Sequence, residues 1–350
     1  MHIGFAVYGG LEQTSGGYRY DRKLIDVLES SGDRVTIINI PQHTGARAHI
    51  QNWSPTVFRQ LNRSYDVLVQ DAWISPSVWR LNHRIHKPRA TVGVVHLLRS
   101  TRASGSQSIK QFEATYLNSL DGAICTSADT EQRVLEMASL PTTVARPAGR
   151  IEGAARSTRY IRSRAHRDGP LQVCYIGNVV PRKGVSNLVR AVCSIQQPIA
   201  LTIIGDTTCN SEYTETVREL IHANDAKQHI QLTGKVSQDE LHSALNASHV
   251  LAVPAAYEGF GMVYLEAMEY GVVPIATTVG GANEMIAHRK NGFLVSPGDT
   301  AALAGHLAKL QEDRDRLATM AINAAAYAKE HPTWNESLTP VRSFFHEVLQ

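Results

Sequence analysis

Val253-Pro254-Ala255-Ala256-Tyr257-Glu258-Gly259-Phe260-Gly261-Met262-Val263-Tyr264-Leu265-Glu266-Ala267-Met268 decides the reading of this chain. An apolar strand-like run ends at Pro254, a glycine-bearing loop follows, and a helical pattern starts at Gly261 or Met262. A strand that passes through such a loop into a helix is the unit of a doubly wound α/β sheet. The unbonded N–H groups of that helix start form a site for a diphosphate, and Gly259 and Gly261 let the backbone approach a ligand closely. Glu258 and Glu266 stand at Glu-x7-Glu spacing, with Glu266 on the loop side of the helix. Carboxylates so placed can accept bonds from sugar hydroxyls and from a ribose. Equally, one can be a carboxylate favoured by the helix dipole and the other an ordinary surface Glu.

Outward from this stretch, short β-branched runs alternate with amphipathic ones. Strands are predicted near 2–7, 34–39, 66–70, 90–95, 121–126 and 142–145, then near 171–176, 200–204, 229–233, 249–253 and 273–277. Helices are predicted at 17–30, 107–119 and 129–137, and later at 184–194, 211–224, 237–246, 262–270, 281–287, 299–329 and 334–348. The alternation implies βαβ units and parallel sheets. The Arg-rich segment 150–169, ending in Gly169-Pro170, interrupts it and reads as a linker. The length of 350 residues suits two cores rather than one. The expected division is 1–165, 166–330 and a final helical segment, 331–350.

Hydrophobic content of 43% and charged content of 19% exclude disordered and fibrous classes. No signal-peptide pattern opens the chain, and no apolar run reaches the ~20 residues a bilayer span needs. Cys125, Cys174, Cys193 and Cys209 form no CxxC pair or zinc-type cluster, which fits reduced thiols and a cytoplasmic location. Net charge is +3, but residues 1–165 hold 21 Lys+Arg against 13 Asp+Glu, whereas 166–350 hold 14 against 19. The basic first half suits an anionic partner. Segment 76–110 is its extreme, with Arg80, Arg84, Lys87, Arg89, Arg99, Arg102 and Lys110 and no acid. It could dock an anionic membrane face or saccharide, with Val78, Leu81 and Ile85 as apolar contacts. The basic half lacks a nucleic-acid-binding motif, so no nucleic-acid partner is expected.

The stretch 253–268 resembles the signature of glycosyltransferase family 4, retaining enzymes of the GT-B fold. The resemblance continues through Gly271-Val272-Val273-Pro274, Gly280-Gly281-Ala282-Asn283-Glu284 and Asn291-Gly292-Phe293-Leu294-Val295, and reaches back to Tyr175-Ile176-Gly177 and Pro181-Arg182-Lys183-Gly184. It implies two Rossmann-like domains facing a central cleft, with the last helix crossing back to the first. It further implies a hexosyltransferase moving sugar from a nucleotide diphosphate sugar to a saccharide, lipid or small-molecule acceptor, with no metal or other cofactor.

By resemblance Glu258 holds donor-sugar hydroxyls, Glu266 the ribose, and the backbone from Phe260 to Val263 the diphosphate. Lys183 offsets charge on the leaving group, and His96, closing the run Thr91–Val95, lines the sugar. Gly16 and Gly17 resemble the family's N-terminal glycine pair. Catalytic roles thus fall to His96, Lys183 and Glu258. Donor contacts fall to Gly16, Gly17, Asn178, Arg182, Lys183, Glu258, Gly259, Phe260, Gly261, Met262, Val263 and Glu266. Asn178 stands where the family usually has Arg, and Arg182 is the neighbouring cation that could replace it. The competing readings are a non-catalytic sugar-nucleotide-binding module, a phosphorylase and a nucleotide-sugar epimerase.

Overall fold

The computed structural model describes residues 1–13, 15–43, 45–101, 107–149 and 156–350. The chain divides into two compact units, Met1–Ala148 with Pro332–Gln350, and Gly149–His331.

In the first unit β1 (His2–Tyr8), β2 (Arg34–Ile40), β3 (Val67–Asp71), β4 (Ala90–Val95), β5 (Gly122–Cys125) and β6 (Thr142–Val144) form one parallel sheet in the order β2-β1-β3-β4-β5-β6. β3 and β4 are buried along their whole length, as strands covered on both faces must be. The strand order reverses between β1 and β3, so their carboxyl ends flank the crevice where such sheets bind ligands.

The last helix, Trp334–Val348, belongs to this unit. It starts with a reciprocal cap between Thr333 and Glu336 and buries Leu338, Val341, Phe344 and Phe345 in the apolar layer that holds Leu24 and Leu28 of helix Gly16–Ser30. Each such side chain contributes about 1.5–3 kcal/mol on leaving water.

In the second unit β7 (Leu171–Ile176), β8 (Ile199–Ile204), β9 (Ile230–Gly234), β10 (Val250–Ala252), β11 (Val273–Thr277) and β12 (Phe293–Val295) form a parallel sheet in the order β12-β11-β10-β7-β8-β9. Its order reverses between β7 and β10, and the loops leaving these neighbours are 177–184 and 253–261.

Several expectations are corrected. Segment 150–169 is not a linker throughout: residues 150–155 lie outside the described ones, and Thr158–Ala165 is a helix of the second unit. Ile161 and Ala165 enter that unit's core, and the buried Arg164 guanidinium donates to the carbonyls of Asn246 and Gly271. The unit boundary therefore falls at 148/149 rather than 165/166, and the return to the first unit at 332. The stretch 299–329 is two helices, Thr300–Glu312 and Arg314–Glu330, because Asp313 ends the first and caps the second through Arg316 N. Only a short turn, Gly281–Glu284, forms within 281–287. Helices Ala46–Ile50, Pro55–Leu61 and Ser75–Asn82, unassigned from sequence, are short; Ser54 caps the second, and Pro55 and Pro76 stand at the starts of the second and third. Val78 and Leu81 are fully buried and Ile85 packs against the core, so none is an outward apolar contact.

Candidate active site

The loops after β7 and β10 are tied together. Pro181–Lys183 form a single turn that ends at Gly184, whose φ of 70° and position against the Pro254 carbonyl leave no space for a side chain. Ala256 N donates to the Arg182 carbonyl at 2.7 Å, and the Arg182 guanidinium donates to the Tyr257 carbonyl at 2.5 Å. On the other side Gly281 N donates to the Glu258 carbonyl at 3.0 Å. The loop bearing Glu258 is thus held from two directions.

Within this frame Lys183 Nζ lies 2.6 Å and Arg182 Nη1 3.0 Å from Glu258 Oε1. The Glu258 side chain is only 13% exposed. Burial pushes its carboxyl pKa up, but Lys183 and Arg182 outweigh that effect and hold it below the ordinary range. One carboxylate balances two cations, so the group carries a net positive charge.

Helix Met262–Glu269 opens directly beyond, at Gly261, whose φ of 86° is left-handed and whose hydrogens face the Tyr264 ring. No side chain caps this end, so its N–H groups present the positive pole of the helix. Tyr264 anchors the helix by donating to the Val253 carbonyl at 2.7 Å. Glu266 is buried rather than a surface residue. Asn178 is exposed, and its carbonyl accepts from the Tyr175 hydroxyl at 2.8 Å. Lys183, Arg182, Glu258 and the turn Gly259–Val263 are therefore assembled, while Asn178 stands at the mouth of the same loop.

The first unit holds a second cluster. His96 follows β4, and its Nε2 lies 3.0 Å from Oδ1 of the fully buried Asp21. Asp71, the last residue of β3, completes a trio whose nearest nitrogen and oxygen atoms all lie within 4.8 Å of one another. Gly17 packs against the His96 ring, with room for a Cβ only 3.3 Å from it, and Tyr20 meets that ring edge-on. Gly16 is exposed at the start of the same helix.

Among the described residues nothing hydrogen-bonds to Asp21 Oδ2, although it is buried. Burial, then the neighbouring Asp21 charge, push the Asp71 carboxyl up to about 7. Burial lowers the His96 pKa, but Asp21 and then Asp71 raise it above the usual value overall. This trio could hold a shared proton or a small cation. Sequence reading found His96 and missed its two carboxylates. Their one linear signal is that the apolar run Val67–Val69 ends in Gln70-Asp71, and that Asp21 falls one helical turn beyond Gly17.

Residues 157–327 match the family of group 1 glycosyl transferases. The match covers just under half of the chain. The resemblance read from Val253 to Met268 is thereby borne out.

The group 1 match is joined by relatives that cover different shares of the chain. A GDP-mannose-dependent alpha-(1-6)-phosphatidylinositol monomannoside mannosyltransferase of Mycobacterium tuberculosis is 34% identical over 185 residues, 50% of this chain and 47% of the relative. The chain thus spans about half the length of this curated relative. A D-inositol 3-phosphate glycosyltransferase of Pseudarthrobacter chlorophenolicus is 27% identical over 315 residues, 83% of this chain and 73% of the relative. Among solved structures, sucrose-phosphate synthase from Thermosynechococcus elongatus superposes with a TM-score of 0.83 at 20% identity, covering 99% of this chain and 98% of that one. Anabaena HepE in complex with UDP-glucose superposes at 0.77 with 20% identity, covering 100% and 99%. These likenesses bear out the GT-B fold. Among the described residues, no helix is long and apolar enough to cross a membrane.

Proposed function

We propose that the chain is a retaining, metal-independent glycosyltransferase that moves a hexosyl group from a nucleotide diphosphate sugar to a phosphate-bearing polyol or lipid-linked acceptor. The observation that carries this reading is the Glu258 carboxylate gripped by Lys183 and Arg182 beside an uncapped helix start. The extra positive charge and the open N–H groups suit a diphosphate, and Glu258 suits the hydroxyls of the sugar attached to it.

In the transfer step the acceptor oxygen bonds to the anomeric carbon on the face from which the diphosphate leaves. The bond from that carbon to the phosphate oxygen breaks, and the acceptor proton passes to the departing phosphate. Lys183, Arg182 and the helix start offset the charge that develops, the work a metal ion does in other transferases. Glu266 is the residue proposed to hold the ribose. His96, whose Nε2 lies against Asp21, is the residue proposed to line the donor sugar.

The relatives named above support a nucleotide-sugar donor, and both names carry an inositol bearing a phosphate, which complements the basic first half. A thermal-shift screen of nucleoside diphosphates and their sugars tests the reading. One diphosphate series should raise Tm in a concentration-dependent way, and Lys183→Ala should abolish that rise. Binding without transfer to inositol phosphates or lipid-linked sugars would instead mark a non-catalytic module.

A further inference from the structure

The basic surface of the first unit carries two apolar side chains that the fold turns outward. Ile50 is 65% exposed and Trp53 59%, the two highest values among the large exposed hydrophobic residues described. They sit at the end of helix Ala46–Ile50 and in the turn Gln51–Trp53, and with His43 and Arg47 they border one open hollow of about 350 Å³. Arg80 lies between two indoles, 5.0 Å from Trp53 and 4.7 Å from Trp79, and Arg84 lies 5.0 Å over Phe58. Arg47, Arg80 and Arg84 are exposed. Residues 41–63 hold three Lys+Arg and residues 72–112 hold seven, and neither stretch contains Asp or Glu.

We propose that Ile50 and Trp53, with Arg47 and Arg80 beside them and the exposed Arg84 further along the basic segment, dock this protein on an anionic lipid bilayer. The inference builds on the lipid-linked acceptor suggested above and moves the contact from Val78 and Leu81, which face the core, to the turn that faces water. A bilayer interface supplies both things this surface lacks, an apolar layer for the indole and the isoleucine and a sheet of negative charge for the guanidiniums. A second copy of the chain would bring a like-charged face, and a nucleic acid would leave Ile50 unburied.

The test is vesicle flotation of the full chain at low salt, with donor binding and the melting curve recorded on the same samples. Wild type should float with phosphatidylcholine vesicles carrying about 30% phosphatidylglycerol and stay down with pure phosphatidylcholine. Raising salt to about 0.5 M should release it. Ile50→Ser with Trp53→Ser should lower partitioning about tenfold, and Arg47→Glu with Arg84→Glu more, with unchanged melting and nucleoside diphosphate binding. Flotation that ignores either double substitution, equal flotation with neutral vesicles, or no flotation with anionic ones overturns the proposal. So does a wild-type dimer that Trp53→Ser turns into a monomer. Because the diphosphate titration is read independently, loss of the docking surface and loss of the donor site give different results.

Discussion

The two charged clusters of this chain are opposites in composition. In the second unit one carboxylate faces two permanent cations, whereas in the first unit two buried carboxylates face one imidazole. The first arrangement has positive charge to spare and gains by taking an anion. The second crowds two acidic groups around one base, and what it gains is a shared proton or a donated hydroxyl. Both stand at the carboxyl ends of strands flanking a reversal in strand order, so the fold provides the place and the local residues decide the sign.

The largest effect should come from breaking the cationic side. Lys183→Ala should cut transfer by about 10²–10³-fold and weaken nucleoside diphosphate binding as well, because the leaving group loses its closest compensating charge. Glu258→Gln sharpens the contrast. It should lower kcat by about 10²-fold while nucleoside diphosphate binds as well or more tightly, since both cations are freed from their carboxylate. Equal loss of diphosphate affinity in both variants would show that Glu258 contacts the phosphates rather than the sugar.

A smaller effect is expected from the anionic cluster. Asp21→Asn should lower turnover about tenfold and move the alkaline limb of the pH–rate profile to lower pH, because His96 would lose the partner that raises its pKa most. An unmoved limb would separate His96 protonation from catalysis.

The smallest effect concerns stability. The raised His96 pKa contributes stability that is complete below its ordinary value of 6.5 and lost as pH rises through its higher folded value. Asp71, ordinarily at 3.8 and near 7 when folded, binds more protons folded than unfolded across that interval, so stability falls as pH rises through it. Wild-type Tm should therefore decline from weakly acidic toward neutral pH, and Asp71→Asn should flatten the slope. A parallel slope in both proteins would place the titrating group elsewhere.

How much was legible beforehand follows the same division. The donor-side residues lie within two short runs, 177–184 and 253–266, whose glycines, prolines and charges are informative in linear order. The Asp21–His96 pair joins residues 75 positions apart, and no local pattern announces such a meeting. Periodicity located eleven of the twelve described strands because most of them read as apolar or β-branched runs, while Phe293–Val295 was not assigned. The helix Thr158–Ala165 was misread because three of the eight residues from 158 to 165 are arginines, and composition does not reveal that the Arg164 head lies inside, bonded to carbonyls. The outward Trp53 was likewise invisible, since an aromatic residue in a sequence reads as core until the fold shows which way it points.

The adjacency of β7 and β10 carries a consequence for how this chain could be divided. They are neighbours in the sheet, yet β8 and β9 lie between them in sequence. A backbone nick in the segment 235–237, just past β9, would leave Arg182 and Lys183 on one fragment and Glu258 on the other. Neither piece alone would own the carboxylate and its cations together, and ligand capture would then report reassembly of the central sheet.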